Sequence, residues 1–231
     1  MEFKNHPNGF FAVFEGIDGC GKSSQLNRAQ LWYKAHLEKE LGRQIVTTKE
    51  PDKDNYWGKK IYEDLVNPSG VHKTDRFEFQ RWYGLNCAEI MSKNCTHLSE
   101  GKIIFQDRTH LVSCVYGSNN FSEVLEYNRI ARNMLRKDFI WPDVIFIFDL
   151  DTEIALERLR KKGRVLDGFE ERKEFLAHVR NLYQLYFREY PNCVIIGAAR
   201  AEEEIFVKVR EELCTRLFKK IGDLNLEKGG K

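Results

Sequence analysis

The segment Gly16-Ile17-Asp18-Gly19-Cys20-Gly21-Lys22-Ser23 constrains this chain more than any other. It fits the pattern G-x-x-x-x-G-K-[ST]. It also lies between a short apolar, aromatic stretch at residues 10–14 and a long helical pattern over residues 22–41. Glycines so placed let backbone N–H groups turn inward around phosphate oxygens, and a helix opening at Lys22 adds its positive dipole end. A chance glycine-rich turn would not need that strand-to-helix setting. We therefore expect Gly16, Ile17, Asp18, Gly19, Cys20, Gly21, Lys22, Ser23 and Ser24 to cradle the phosphates of ATP. Lys22 should reach the β- and γ-phosphates, and the Ser23 hydroxyl should ligate Mg²⁺. Cys20 needs only to be small, although a helix N-terminus can depress a thiol pKa.

Strand-like and helix-like stretches alternate along the whole chain. Strands are expected at residues 10–14, 44–48, 103–106, 144–148 and 194–196. Helices are expected at 22–41, 54–66, 74–98, 121–137, 152–162, 170–190 and 202–219, with Gly42 as a C-cap. Such alternation implies an α/β fold with a parallel sheet covered on both faces, and ligands at the carboxyl ends of the strands. No repeat or linker interrupts it, so residues 1–221 read as one domain and 222–231 as a polar, frayed tail.

Composition narrows the function classes. An apolar share of 42% and a charged share of 31% describe a folded protein, and a formal net charge of +2 gives no argument for nucleic acid or membrane as partner. The six cysteines form no C-x-x-C pair and are expected as free thiols in a reducing cytosol. The first eight residues are polar, and no apolar run approaches the ~20 residues that span a bilayer. The expectation is a soluble, cytoplasmic protein.

The chain lacks the Asn-Lys-x-Asp guanine-reading motif of GTPases. It carries Asp107-Arg108 after the third strand. A carboxylate there can hold the waters of Mg²⁺, and an arginine beside it can grip a second phosphate. A basic group, Arg158, Arg160, Lys161, Lys162 and Arg164, spans a helix end and the following loop. Arg158 and Arg164 are expected to belong to a lid, at about residues 158–168, that closes over the transferring phosphoryl group. Lys161 and Lys162 read as a solvated helix face.

Four segments in order resemble the thymidylate kinase family. Phe14-Glu15-Gly16-Ile17-Asp18-Gly19-Cys20-Gly21-Lys22-Ser23 is similar to its opening, and Thr48-Lys49-Glu50-Pro51 to its T-R-E-P segment. Asp107-Arg108 with Ser113 and Tyr116 resembles D-R-x-x-x-x-S-x-x-Y, and Leu166-Asp167-Gly168-Phe169-Glu170 with Phe175, Val179 and Tyr183 resembles the stretch after the lid. The resemblance covers about residues 10–215. It implies a three-layer α/β/α fold of the P-loop NTPase type, with a five-stranded parallel sheet and a helical lid. It implies ATP and Mg²⁺ as cofactors, a homodimer, and phosphorylation of dTMP to dTDP. Asp18 would contact the sugar 3′-hydroxyl, Arg108 the dTMP phosphate, and Tyr116 the sugar. Asp107 and Ser23 would serve the metal. An aromatic would stack on the thymine, Tyr83 by best match and Trp82 as the alternative, although each aromatic alone is as readily a core residue.

The chain departs from the family at several places. The T-R-E-P arginine is Lys49, and a glycine-rich continuation is replaced by Asp52-Lys53-Asp54, so Lys49 or Lys53 is expected to supply the second phosphate contact. The arginine that bonds the base should fall at Asn86 or Cys87. Arg81 and Asn86 are the candidates to replace it. After the lid, Gly168 stands where the family has arginine. One alternative is a deoxynucleoside kinase, which would need Glu15 or Glu50 as general base. The other is a non-catalytic nucleotide-binding module.

Overall fold

Residues Phe10–Glu15 are buried without interruption and form strand β1. A strand with no watery side must lie inside a parallel sheet rather than at its edge. The computed structural model describes residues 5–135, 138–161, 163 and 173–229. In it, β2 (Ile45–Lys49), β3 (Ile103–Asp107), β4 (Val144–Asp149) and β5 (Cys193–Gly197) join β1 in a five-stranded sheet, ordered β2-β3-β1-β4-β5. Every pairing is parallel. Phe14 anchors the centre, with its ring 5.3–6.0 Å from those of Phe105, Phe146 and Phe148.

The helices are α1 (Lys22–His36), α2 (Glu38–Leu41), α3 (Tyr56–Leu65), α4 (Val71–Thr74), α5 (Arg76–Ser99), α6 (His110–Gly117), α7 (Phe121–Leu135), α8 (Thr152–Lys161), α9 (Lys173–Glu189) and α10 (Glu202–Gly229). Helices α1 and α10 pack on each other and on the sheet, while α5, α6, α7 and α9 make a second connected layer. The chain leaves β1 between β3 and β4, the switch point where a crevice opens at the carboxyl ends of the strands. Register places Asp107 beside both Phe14 and Lys49, so the ends of β1, β2 and β3 reach one edge together.

Several elements differ from expectation. The helix expected over 22–41 breaks at Leu37, which turns into the core while the Glu38 carboxylate accepts from the Ile45 N–H at 2.9 Å. The one expected over 74–98 starts afresh at Arg76, because the Asp75 carboxylate caps it by accepting from the Glu78 N–H at 3.0 Å. Helix α6 was not expected at all. Its run is apolar and rich in β-branched residues, and only Thr109, whose hydroxyl accepts from the Leu111 N–H at 3.2 Å, marks its start. Helix α10 runs past Gly222 to Gly229, where a frayed tail was expected, and Leu224 on that extension is buried. Lys162, Arg164 and the segment 166–170 lie outside the described residues.

Candidate active site

Between β1 and α1 the loop takes conformations that only glycine holds easily. Gly16 has φ 139° and Gly19 φ 81°. A Cβ on Gly16 would lie 2.7 Å from the Phe148 carbonyl oxygen, so β4 itself excludes a side chain there. Ile17 and Cys20 point into the core, and only their backbones are available to a ligand. Burial pushes the Cys20 thiol up, which leaves it protonated and inert. Ser24 follows Ser23 in the first turn of α1. Lys22 is buried, with Nζ 3.4 Å from Asp18 Oδ1. The Ser23 hydroxyl donates to Asp107 Oδ2 at 2.6 Å, and the buried Oδ1 of Asp107 has no partner among the described residues. A hydroxyl at the start of α1 and an under-used carboxylate at the end of β3 are a donor set of hard oxygens that fits Mg²⁺.

Arg108 adopts a left-handed backbone, φ 68°, which is rare for a residue with a side chain. It is held there from all sides. Its N–H donates to the Phe14 carbonyl at 3.0 Å, and its own carbonyl accepts from Gln106 Nε2 at 2.8 Å. The turn carries the guanidinium to Asp18 Oδ1 at 2.5 Å and over the Tyr116 ring, 5.3 Å from its centroid. Burial works against this cation, but the Asp18 carboxylate holds its pKa well above the usual arginine value. Backbone strain of this kind, of order 1–3 kcal/mol, persists only where the surroundings over-determine it.

A cavity opens from these groups toward α5. Asp18, Lys22, Ser23, Lys49, Asp107, Arg108, Tyr116 and Tyr83 all line it, with Tyr62, Phe79, Gln80 and Ser113. The structure thus brings together most of the residues singled out from the sequence. Trp82 is not among them. It packs with Ile61 and Phe79 and donates to Glu78 at 2.8 Å, so of the two candidates Tyr83 is the one that lines the cavity. Lys53 lines an adjoining groove, with its ammonium 4.2 Å from the centroid of Tyr62. Arg158 is half-buried on α8, the helix whose Leu159 lies against Gly19. Lys161 pairs with Glu157 at 2.6 Å on the solvated face.

The thymidylate kinase family model matches residues 14–209. The chain belongs to the thymidylate kinase family. Three thymidylate kinases illustrate the likeness. That of Thermosipho africanus is 30% identical over 87% of this chain and 95% of its own length. That of Fervidobacterium nodosum is 32% identical over 84% and 93%, and that of Caldicellulosiruptor saccharolyticus 31% over 92% and 99%.

Against the thymidylate kinase pattern, the site of the missing arginine is closed to a base. Asn86 is fully buried. Its carbonyl oxygen accepts from the Asp52 N–H at 3.2 Å, and its amide donates to Asn55 Oδ1 at 2.7 Å. Asn86 therefore ties α5 to the start of α3 and has nothing to offer a ligand. Arg81 points to solvent and pairs with Glu78 at 3.1 Å. Neither of the expected replacements faces the cavity. Phe79 and Gln80, which do face it, were missed, although Gln80 stands one turn before Tyr83 on the same side of the helix.

Two buried carboxyls underlie the site. Glu15 accepts from the Thr109 N–H at 2.7 Å and from the Tyr183 hydroxyl at 2.9 Å. Burial nevertheless raises its pKa to about 7, against the pull of Arg108. Glu50 has no nitrogen or oxygen donor on either carboxylate oxygen among the described residues. Burial and the neighbouring Glu15 charge raise it to about 8. Both folded values lie above the ordinary 4.5, so the folded chain holds protons that the unfolded chain has released. Stability should then be greatest below pH 4.5 for these two groups and should decline as pH rises toward 8. The limiting slope is about 1.4 kcal/mol per pH unit for each group. Urea unfolding of Glu50→Gln across that range should show a flatter decline than the parent chain. An identical slope would mean that Glu50 is hydrated.

Proposed function

We propose that this chain transfers the γ-phosphoryl group of ATP to the phosphate of dTMP, giving dTDP, a step toward dTTP. One observation carries the reading. A single cavity is lined both by Lys22, Ser23 and Asp107 and by Arg108, Tyr116 and Tyr83. A donor phosphate cradle and an acceptor pocket that share a wall favour in-line transfer, in which positioning and charge neutralisation supply most of the catalysis. The loop from Gly16 to Ser24 holds the ATP phosphates, and Lys22 neutralises charge on the transferring group. Ser23 and Asp107 would hold Mg²⁺, which supplies further neutralisation of the β- and γ-oxygens. Arg108 grips the acceptor phosphate, helped by Lys49, with Lys53 at the rim. Asp18 and Tyr116 hold the sugar, and Tyr83 stacks on the base.

No general base is required, because the dTMP phosphate is already an anionic nucleophile. This separates the reading from a deoxynucleoside kinase. Glu15 is saturated by its own donors, and Glu50, although it lines the cavity, has both carboxylate oxygens buried. Arg158 and Arg164 enter as lid arginines that meet charge developing during transfer. Arg158→Ala should lower kcat with little change in KM, whereas a change confined to KM would contradict the lid role.

The reading includes a homodimer, on the family resemblance, and a cytoplasmic setting, which the six free cysteines support. Among the described residues no helix is long and apolar enough to cross a membrane. Incubation of a panel of nucleosides and monophosphates with ATP·Mg²⁺, followed by product chromatography, tests the function. dTDP from dTMP is the expected product. Turnover of thymidine in preference would favour the nucleoside kinase, and ATP binding without any turnover the non-catalytic module.

A further inference from the structure

We propose that Gln80 reads the imide edge of the thymine in place of the arginine that the chain lacks at Asn86 and Cys87; this rests on the dTMP reading above. Three observations converge on it. Gln80 and Tyr83 are three residues apart on α5 and line the same cavity, one turn of helix setting an amide beside the stacking ring. The Gln80 amide, half-buried at the cavity wall, makes no hydrogen bond among the described residues, whereas Arg81 and Asn86 are both committed elsewhere. The third observation is the floor beneath it. A Cβ placed on Gly117 would lie 3.4 Å from both Cδ and Nε2 of Gln80 and 3.7 Å from Oε1. The amide thus lies close over α6 at the residue next to Tyr116. Arg108, Tyr116 and Gln80 line one cavity, as an acceptor site for phosphate, sugar and base requires.

The chemistry suits a pyrimidine imide. Thymine presents the O4 acceptor beside the N3–H donor. A primary amide matches both, with Nε2–H donating to O4 and Oε1 accepting from N3–H. In a closed pocket, leaving those groups unpaired is strongly unfavourable, which is how a hydrogen-bonding site rejects substrates that do not match it. The amide reads neither the 5-methyl group nor the sugar, so dUMP should follow dTMP in its dependence on Gln80. Glutamate at this position keeps the shape but cannot donate. It would face thymine O4 with a carboxylate oxygen and would instead accept from the N4 amino group of cytosine.

The test is the kcat/KM of the full chain for dTMP, dUMP and dCMP, with thermal unfolding as a check on folding. Gln80→Leu should lower kcat/KM for dTMP and dUMP by about ten- to a hundredfold, with the KM for ATP unchanged. Gln80→Glu should raise the dCMP-to-dTMP ratio by about tenfold or more, a shift that a packing role would not produce. Equal losses for all three monophosphates in Gln80→Glu would overturn the proposal, as would a Gln80→Leu enzyme within about threefold of the parent on dTMP. A loss of base selectivity in Ser113→Ala with Gln80→Leu silent would overturn it too. Should the parent chain itself fail to phosphorylate dTMP, the functional reading falls rather than this assignment alone.

Discussion

Lys22→Ala should lose about 10²–10³ in kcat, or ~3–4 kcal/mol of transition-state stabilisation, and still fold. The loss follows from position. Lys22 Nζ sits at the mouth of the phosphate loop, where charge spreads over the transferring oxygens. That the chain should fold follows from its partner. Removing the lysine would strand Asp18, were that carboxylate not also held by Arg108 at 2.5 Å. A partly buried charge that keeps one ion pair avoids the heavier penalty of having none. Steady-state turnover with ATP·Mg²⁺ and dTMP, beside a thermal melt, measures both halves. A folded variant with near-complete turnover would remove Lys22 from the chemistry.

Arg108→Ala should weaken dTMP by about thirtyfold or more while ATP binds within about threefold. The guanidinium is pre-set for an acceptor phosphate by the left-handed turn, the Asp18 contact and the Tyr116 ring beneath it. Lysine is a poor substitute, since it offers a point charge where a planar fork is required. Arg108→Lys should therefore recover only part of the affinity. Arg108 also holds down the pKa of the buried Glu15, so the alanine variant should carry that carboxyl protonated to a higher pH. Calorimetry with each nucleotide separately decides the matter. Equal weakening of ATP and dTMP would move Arg108 to the donor side.

Much of the site was legible because its signals are local. The glycines and Lys22 of the phosphate loop stand within eight consecutive residues, and the strands announce themselves as apolar runs. Asp107-Arg108 could be placed because it ends a strand, and ligands of such sheets sit at the carboxyl ends of the strands. Tyr83 and Trp82 could not be separated, since adjacent helix positions differ by about 100° and the sequence does not say which face meets the cavity.

By itself the sequence determined the phosphate loop, the five parallel strands and the family, all of which depend on spacing within short stretches. Only the tertiary structure decided what became of residues whose partners lie far along the chain. Asn86 looked available to a ligand until Asn55 and the Asp52 N–H, more than thirty residues away, were seen to occupy it. Gln80 looked like an ordinary helix glutamine until α6 brought Gly117 beneath it. Glu50, a candidate base in the sequence, becomes a raised-pKa acid because folding buries it beside Glu15. Spacing along the chain sets local geometry, but burial and hydrogen-bond partners are set by contacts between distant segments. The roles that depend on those contacts become readable only in the folded chain.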